Sequence, residues 1–199
     1  MHVILVRHPA PDVTPGICYG RLDVDLSPAG VAALEPMRAA LAASGIARVV
    51  TSPARRCLRL ACALTPAPTV DERLQELDFG AWEGLAWDAV PRAALDQWAA
   101  DPLGFRPPAG ESGAELSARV RAAAAALVAA GMDCIVVTHG GPLRLLPALL
   151  RGEAPDLLAP APPLGAMLAV HLQHATAVSP AHSTATAQAP STSPVKPPI

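Results

Sequence analysis

The sequence predicts an α/β fold, a three-layer αβα sandwich around a largely parallel central sheet, and three observations predict it. Four short apolar runs, at residues 3–6, 48–51, 134–138 and 167–172, are β-branched or aliphatic without clean alternation, the pattern of strands buried on both faces. Segments with helical start and stop signals lie between them. Strands alternating with helices favour parallel pairing through crossover connections. At 199 residues, about half of them apolar, the chain can bury one sizeable core and gives little reason to divide it in two.

The elements follow in order. The first strand, 3–6, runs straight into Arg7 and His8. Ser27 is an N-cap with Pro28 at the first helical position, and this helix runs toward Ser44 and Gly45; Pro36 should kink or interrupt it. The second strand, 48–51, leads into a helix over 53–64, and another helix is expected over about 88–100. Ser112 and Glu115 make a capping-box pattern at the start of a helix over 112–130. After strand 134–138 a last helix follows Gly141, shortened or bent by Pro147. From residue 175 the chain is mostly Ala, Ser, Thr and Pro and cannot offset its own ordering entropy. The expected organisation is one domain over 1–174 and a disordered tail over 175–199, with no internal repeat.

Composition excludes several classes of function. A net charge of -2 with interspersed signs offers no basic stripe for a nucleic-acid backbone, so no nucleic-acid partner is expected. The N-terminal apolar run stops at Arg7 and the alanine-rich run over 122–130 is short and preceded by Arg119 and Arg121, so neither reads as a membrane span. Cys18, Cys57, Cys62 and Cys134 form no CxxC pair and read as reduced thiols of a cytoplasmic protein.

In an open parallel sheet the ligand crevice lies beyond the carboxyl ends of the strands. The first strand ends in Arg7-His8, the second runs through Thr51-Ser52-Pro53 into Arg55-Arg56, and the third ends in Thr138-His139-Gly140-Gly141. Any one of these residues alone reads as an ion pair or a satisfied rim group. Together they describe a phosphate cradle. Guanidinium groups bind phosphate oxygens bidentately, and Gly140 and Gly141 leave backbone N–H groups open to an anion at a helix N-terminus. Positive charge around His8 should keep its imidazole neutral, the nucleophilic form. Phosphoryl transfer then needs a proton for the leaving alkoxide, and a carboxyl group beside a dianion holds a proton more readily than one in water. Glu76 is the candidate, with Asp78 and Glu83 as competitors.

These residues resemble the histidine phosphatase superfamily, also called phosphoglycerate-mutase-like, over residues 2 to about 172. LVRH resembles its nucleophile motif, TSPARRC its second arginine segment, ELDFGAWEG its acid segment, PAGES a loop common in it, and VVTHGGPLR its second-histidine motif. The resemblance implies His8 as phosphorylated nucleophile, Arg7 and Arg56 as phosphate ligands, Glu76 as proton donor and His139 as the second histidine of the pocket, with Gly140 beside it. It selects Arg56 over Arg55, because the family arginine precedes a small residue and Cys57 follows Arg56. One departure is Pro9-Ala10-Pro11-Asp12, where the family has a glycine and later a threonine and an asparagine; proline removes an N–H donor and stiffens the loop. The stretch PGICYGRLDVDLS resembles the α-ribazole phosphatases of cobalamin synthesis, which implies Gly20 and Arg21 at the substrate entrance and Tyr19 against the substrate. Trp82 and Trp87 read as packing residues that could instead wall the pocket.

The expected partner is therefore a small-molecule phosphomonoester, hydrolysed without a metal or other cofactor. Six histidines and the carboxylates give no metal-ligand spacing near a strand end, Asp23 and Asp25 coming nearest. Three alternatives stand beside α-ribazole 5′-phosphate hydrolysis: a broad-specificity phosphatase, a phosphoglycerate-type mutase, and an inactive phosphate-binding module. A mutase must shield its phosphohistidine from water, and only residues 84–112 are available as a cover.

Overall fold

A computed structural model describes residues 1–172; the tail expected over 175–199 lies outside them. Five strands, β1 (His2–Arg7), β2 (Val49–Thr51), β3 (Thr69–Val70), β4 (Cys134–Thr138) and β5 (Met167–His171), form one sheet in the order β3-β2-β4-β1-β5. The first four run parallel and β5 runs antiparallel along the outer edge of β1. The architecture is the α/β sandwich that the alternating pattern predicts.

The four apolar runs lack alternation because both faces of the sheet are covered. In β4 every residue is buried. Cys134 and Val136 join one apolar cluster while Ile135 and Val137 join the other. The first cluster is filled by α5 (Gly113–Ala130) and α6 (Gly140–Arg151), through residues such as Leu116, Val120, Leu143 and Leu146. The second is filled by α2 (Leu34–Ala42) and α3 (Arg55–Leu64), through Met37, Leu41, Cys57 and Leu60. Each such side chain, fully buried, contributes about 1.5 to 3 kcal/mol.

Several boundaries differ from expectation, each for a local reason. The helix after Ser27 splits into α1 (Pro28–Ala32) and α2 at Ala33, since Pro36 has no N–H for the Ala32 carbonyl and its ring crowds that oxygen. The helix expected from residue 53 begins only at Arg55, because Ala54 is extended (ψ 135°). Pro91 likewise divides 88–100 into a single turn at Trp87–Ala89 and α4 (Arg92–Ala100). Pro147 does not shorten α6, which runs through it to a left-handed Gly152. The sequence reading missed β3, two exposed residues at the sheet edge, too short to carry a period. Among the described residues no helix is long and apolar enough to cross a membrane.

The register sets the functional rim. Arg7 pairs with Thr138 and Thr51 with Val137, so β1, β4 and β2 end side by side and the next residues, His8, His139 and Ser52, become neighbours. The capping box at α5 forms, with Ser112 accepting from the Glu115 N–H and Glu115 accepting from the Ser112 N–H at 2.9 Å. Ser112→Ala should lower the unfolding free energy by about 1 kcal/mol, read from the urea midpoint at unchanged slope.

Candidate active site

His8 and His139 are both buried, with ring centroids 5.1 Å apart at 63°. The His8 Nδ1 lies 2.7 Å from the Pro9 carbonyl oxygen. A carbonyl only accepts, so Nδ1 carries the proton and Nε2 keeps the lone pair. The acceptor is a backbone carbonyl, so the proline that removes an N–H donor from the loop leaves this tautomer-fixing contact in place. His139 caps α6, and its Nε2 lies 2.7 Å from Ser52 Oγ and 3.5 Å from Cys57 Sγ. Burial, and then the Arg56 charge, hold the His8 pKa down at about 3. His139 is held well below the ordinary histidine value by the same two causes, with the charge of His8 itself next.

Arg56 is completely buried, and Arg7 is half-buried. Arg56 Nη2 donates to the Gly20 carbonyl (2.7 Å) and Nη1 to that of Leu22 (2.9 Å), and its guanidinium carbon lies 5.4 Å from the Tyr19 ring centroid. Arg7 Nη1 donates to the Pro162 carbonyl at 2.6 Å. The Nε atoms of both arginines are buried with no partner among the described residues, and neither guanidinium has a carboxylate partner there. Arg55 instead points to solvent, paired with Asp25 at 2.7 Å. Adjacent positions on a helix face different ways, and the structure turns Arg56 inward.

Glu76 lies across from the histidines in the loop after a single turn at Glu72–Leu74. Its carboxylate accepts from the Gly141 N–H at 3.0 and 3.2 Å and from its neighbour Leu77 N–H at 2.9 Å. Its competitors are engaged elsewhere. Glu83 accepts from the N–H groups of Arg21, Leu22 and Phe79 and so ties the 20–22 loop to the 76–84 segment. Asp78 closes a turn onto the Gly80 N–H and pairs with Arg21 at 3.6 Å.

Two cavities meet at Gly20 and Glu76. One, of about 250 Å³, is bordered by Arg21, Asp23, Arg56, Gln75 and His139; the other, of about 160 Å³, by Arg7, Tyr19, Phe79, Trp87, Gly140 and Arg144. Of the residues expected from sequence, Arg7, Tyr19, Gly20, Arg21, Arg56, Glu76, His139 and Gly140 border one or both cavities, while His8 is buried against His139 and borders neither. A side chain at Gly20 would collide with the Leu77 carbonyl oxygen, and one at Gly140 would stand 3.3 Å from the Arg7 guanidinium. Trp82 is buried in an apolar cluster with Cys18 and Val90, while Trp87 stacks on Trp98 and reaches the second cavity. Asp23 and Asp25 bind Arg55 rather than each other. No group of three or more potential metal-ligating side chains occurs among the described residues. Sequence reasoning missed the roles of Ser52 and Arg144, although both stand inside the motifs quoted for the resemblance.

The largely parallel sheet thus delivers to one rim two buried histidines and two guanidiniums that have no carboxylate partner among the described residues. The model of the histidine phosphatase superfamily (branch 1) matches residues 3–178, and the chain belongs to that superfamily. It is a phosphatase. It is 31% identical over 157 residues to a protein of Hydrogenobacter thermophilus named putative phosphoserine phosphatase 2, covering 74% of this chain and 77% of that one. A mycobacterial glucosyl-3-phosphoglycerate phosphatase, solved in complex with VO3, superposes with a TM-score of 0.73 at 27% identity, covering 84% of this chain and 91% of that one. A putative α-ribazole-5′-P phosphatase from Escherichia coli shares the fold, with a TM-score of 0.68 at 24% identity over 77% of this chain and 81% of that one.

The depressed histidines make stability depend on pH. With a folded pKa of about 3 for His8 against about 6.5 unfolded, the unfolded chain binds the extra proton between those values. Stability is therefore full above pH 6.5 and falls as pH drops through that window. At about 1.4 kcal/mol per pH unit, His8→Asn should flatten the loss between pH 6.5 and 5 by roughly 1 to 2 kcal/mol. Urea unfolding of both proteins at the two pH values checks this.

Proposed function

We propose that the chain hydrolyses small phosphomonoesters through a phosphohistidine on His8. The observation that carries this is the buried, neutral His8, its Nδ1 proton held by Pro9 and its Nε2 lone pair left beside two guanidiniums that lack an acidic partner among the described residues. The Nε2 lone pair attacks phosphorus while the ester P–O bond breaks, and its electron pair leaves on the alkoxide oxygen, which takes the Glu76 proton. Arg7, Arg56, His139 and the Gly140 N–H offset the charge on the phosphoryl oxygens. Water then attacks phosphorus, the N–P bond electrons return to Nε2, and a proton passes from water to the Glu76 carboxylate. We place this reaction in the cytoplasm, where the free thiols Cys18, Cys57, Cys62 and Cys134 stay reduced.

For substrate we propose α-ribazole 5′-phosphate, in cobalamin synthesis, on the resemblance of residues 15–27. Tyr19, Phe79 and Trp87 beside the phosphate cradle support it, as flat apolar surface for a base. A second reading, a phosphomonoester that also carries a carboxylate, is favoured by Arg144. That residue borders the same cavity, and only its Nε has a partner among the described residues, the Ala159 carbonyl at 2.8 Å. Phosphoserine and glucosyl-3-phosphoglycerate, the substrates in the relatives' names, are both of this kind. Arg21 at the mouth is turned toward Asp78 and Glu111 and would meet the outer part of either substrate.

His8→Ala should abolish turnover, and rapid quench of the wild type with labelled substrate should trap an acid-labile phosphoenzyme on His8. Turnover with no label there rejects the nucleophile. Arg56→Ala should lower kcat/KM by roughly 100-fold or more, as for removal of a pre-placed donor, and Arg55→Ala only slightly. EDTA should leave activity unchanged, since the guanidiniums supply the neutralising charge; loss restored by a divalent ion contradicts this mechanism. In a substrate panel, α-ribazole 5′-phosphate should exceed phosphoglycerates and sugar phosphates by roughly tenfold in kcat/KM, the worth of one stacked ring. The opposite order, abolished by Arg144→Gln, selects the carboxylate-bearing class.

A further inference from the structure

The loop that carries Glu76 is held by one guanidinium from another element. Arg119, on α5, donates through Nη1 to the carbonyls of Arg73 (2.9 Å) and Gln75 (2.6 Å), and through Nη2 to the carbonyl of Glu76 itself (2.9 Å). Its remaining donors form a two-point pair with Glu111, Nε to Oε1 at 2.6 Å and Nη2 to Oε2 at 2.8 Å. The Thr138 hydroxyl, at the end of β4, takes the one carbonyl that Arg119 leaves out, that of Leu74, at 2.6 Å. Every carbonyl from 73 to 76 is thus bound by a side chain. Glu111 fastens the next stretch through its own N–H, which donates to the Asp78 carbonyl at 2.9 Å. The pair is largely buried, 15% and 10% exposed at the side chains, so its hydrogen bonds meet little competition from water.

We infer that Arg119, oriented by Glu111, is a positioning residue for proton delivery: it fixes the backbone of residues 73–76 so that the Glu76 carboxyl stands over the N-terminus of α6. The inference rests on the reading of Glu76 as the proton donor. Beyond its single turn the loop has no helix or strand to define it, and an acid displaced by about 1 Å loses on the order of 100-fold in rate. A planar fork of five donors can serve three carbonyls and a carboxylate at once. An ammonium has three donors converging on one atom and cannot reproduce that span, so Arg119→Lys keeps the charge while releasing the loop.

A structural role and a positioning role separate on the leaving group. Nitrophenolate departs without a proton, whereas the alkoxide of glycerol phosphate requires one. The quantity to compare is kcat/KM, which reports the steps up to the phosphoenzyme, for p-nitrophenyl phosphate and glycerol phosphate in Arg119→Lys, Glu111→Gln and Glu76→Gln. Glu76→Gln should lose roughly 100-fold or more on glycerol phosphate and under about tenfold on nitrophenyl phosphate. The Arg119 and Glu111 variants should show the same skew at smaller size, roughly 10- to 100-fold against a few-fold. Equal losses on both substrates in Arg119→Lys, or none on either, overturn the inference while Glu76→Gln keeps its skew. A Glu76→Gln enzyme without skew rejects the acid reading, and the inference with it. Should Arg119→Lys not fold, Glu111→Gln decides by the same comparison.

Discussion

The site depends on a charge that the fold keeps dry. Arg56 is completely buried, and among the described residues its Nη groups reach only the carbonyls of Gly20 and Leu22 and its Nε has no partner. An unpaired buried cation costs several kcal/mol even after relaxation, and the cost is borne beside the two histidines. Three properties follow from it. Desolvation, and then the nearby Arg56 charge, favour the neutral forms of His8 and His139, so in the proposed reaction His8 would need no base to free its lone pair. The two carbonyls bring the 20–22 loop over the site, and with it the mouth. The field left uncompensated would be matched by the phosphate dianion of the proposed substrate, ligand and fold being complementary in charge before any catalytic step.

How much of this was legible in the sequence depends on how local each cause is. The strand ends declare themselves because a fully covered sheet needs uninterrupted apolar runs, and His8, Arg56 and His139 each follow one of them within a few residues. The choice of Arg56 over Arg55 came from the resemblance, and the helix face shows its physical reason. The breaks at Ala33 and Pro91 come from prolines visible in the chain; what the prolines do not announce is whether a helix ends or bends, as Pro147 inside α6 illustrates. The two-residue β3 has no period to read. Arg119 and Glu111 were illegible for a different reason. The partners of Arg119 at 73, 75 and 76 are backbone carbonyls more than 40 residues away, a carbonyl leaves no residue-type signal, and Glu111 acts through Arg119.

The same kind of contact shapes the other side of the site. Arg7 and Arg144 both donate to carbonyls of the segment after α6, those of Pro162 and Ala159. The segment also reaches the nucleophile, since the Gly165 N–H donates to the His8 carbonyl at 3.2 Å. Backbone oxygens orient the guanidiniums without neutralising them, which a carboxylate would do. Positive charge is thereby aimed while remaining available to an anionic ligand, and the loops that do the aiming can vary in side chain without disturbing the chemistry.

The N-terminus of α6 shows how the site divides its donors. A helix start offers several N–H groups to an anion; here the Gly141 N–H is taken by the Glu76 carboxylate, and Gly140 lies against the Arg7 guanidinium. One helix end therefore anchors the Glu76 carboxylate and, in the proposed reaction, would also face the phosphoryl oxygens. Glycine at both positions is the condition for this, because a side chain at Gly141 would occupy the place of the Glu76 carboxylate, and one at Gly140 would press on the Arg7 guanidinium. Glu76 is held by its neighbour's N–H and by the start of α6, and His8 by the Pro9 carbonyl and by β4, through the His8 N–H to the Thr138 carbonyl at 3.0 Å, so the two groups that the proposed reaction uses are fixed independently. On the proposed reaction a substrate between them would need to supply only its phosphate, which would leave specificity to the cavity walls formed by Tyr19, Phe79, Trp87 and Arg144.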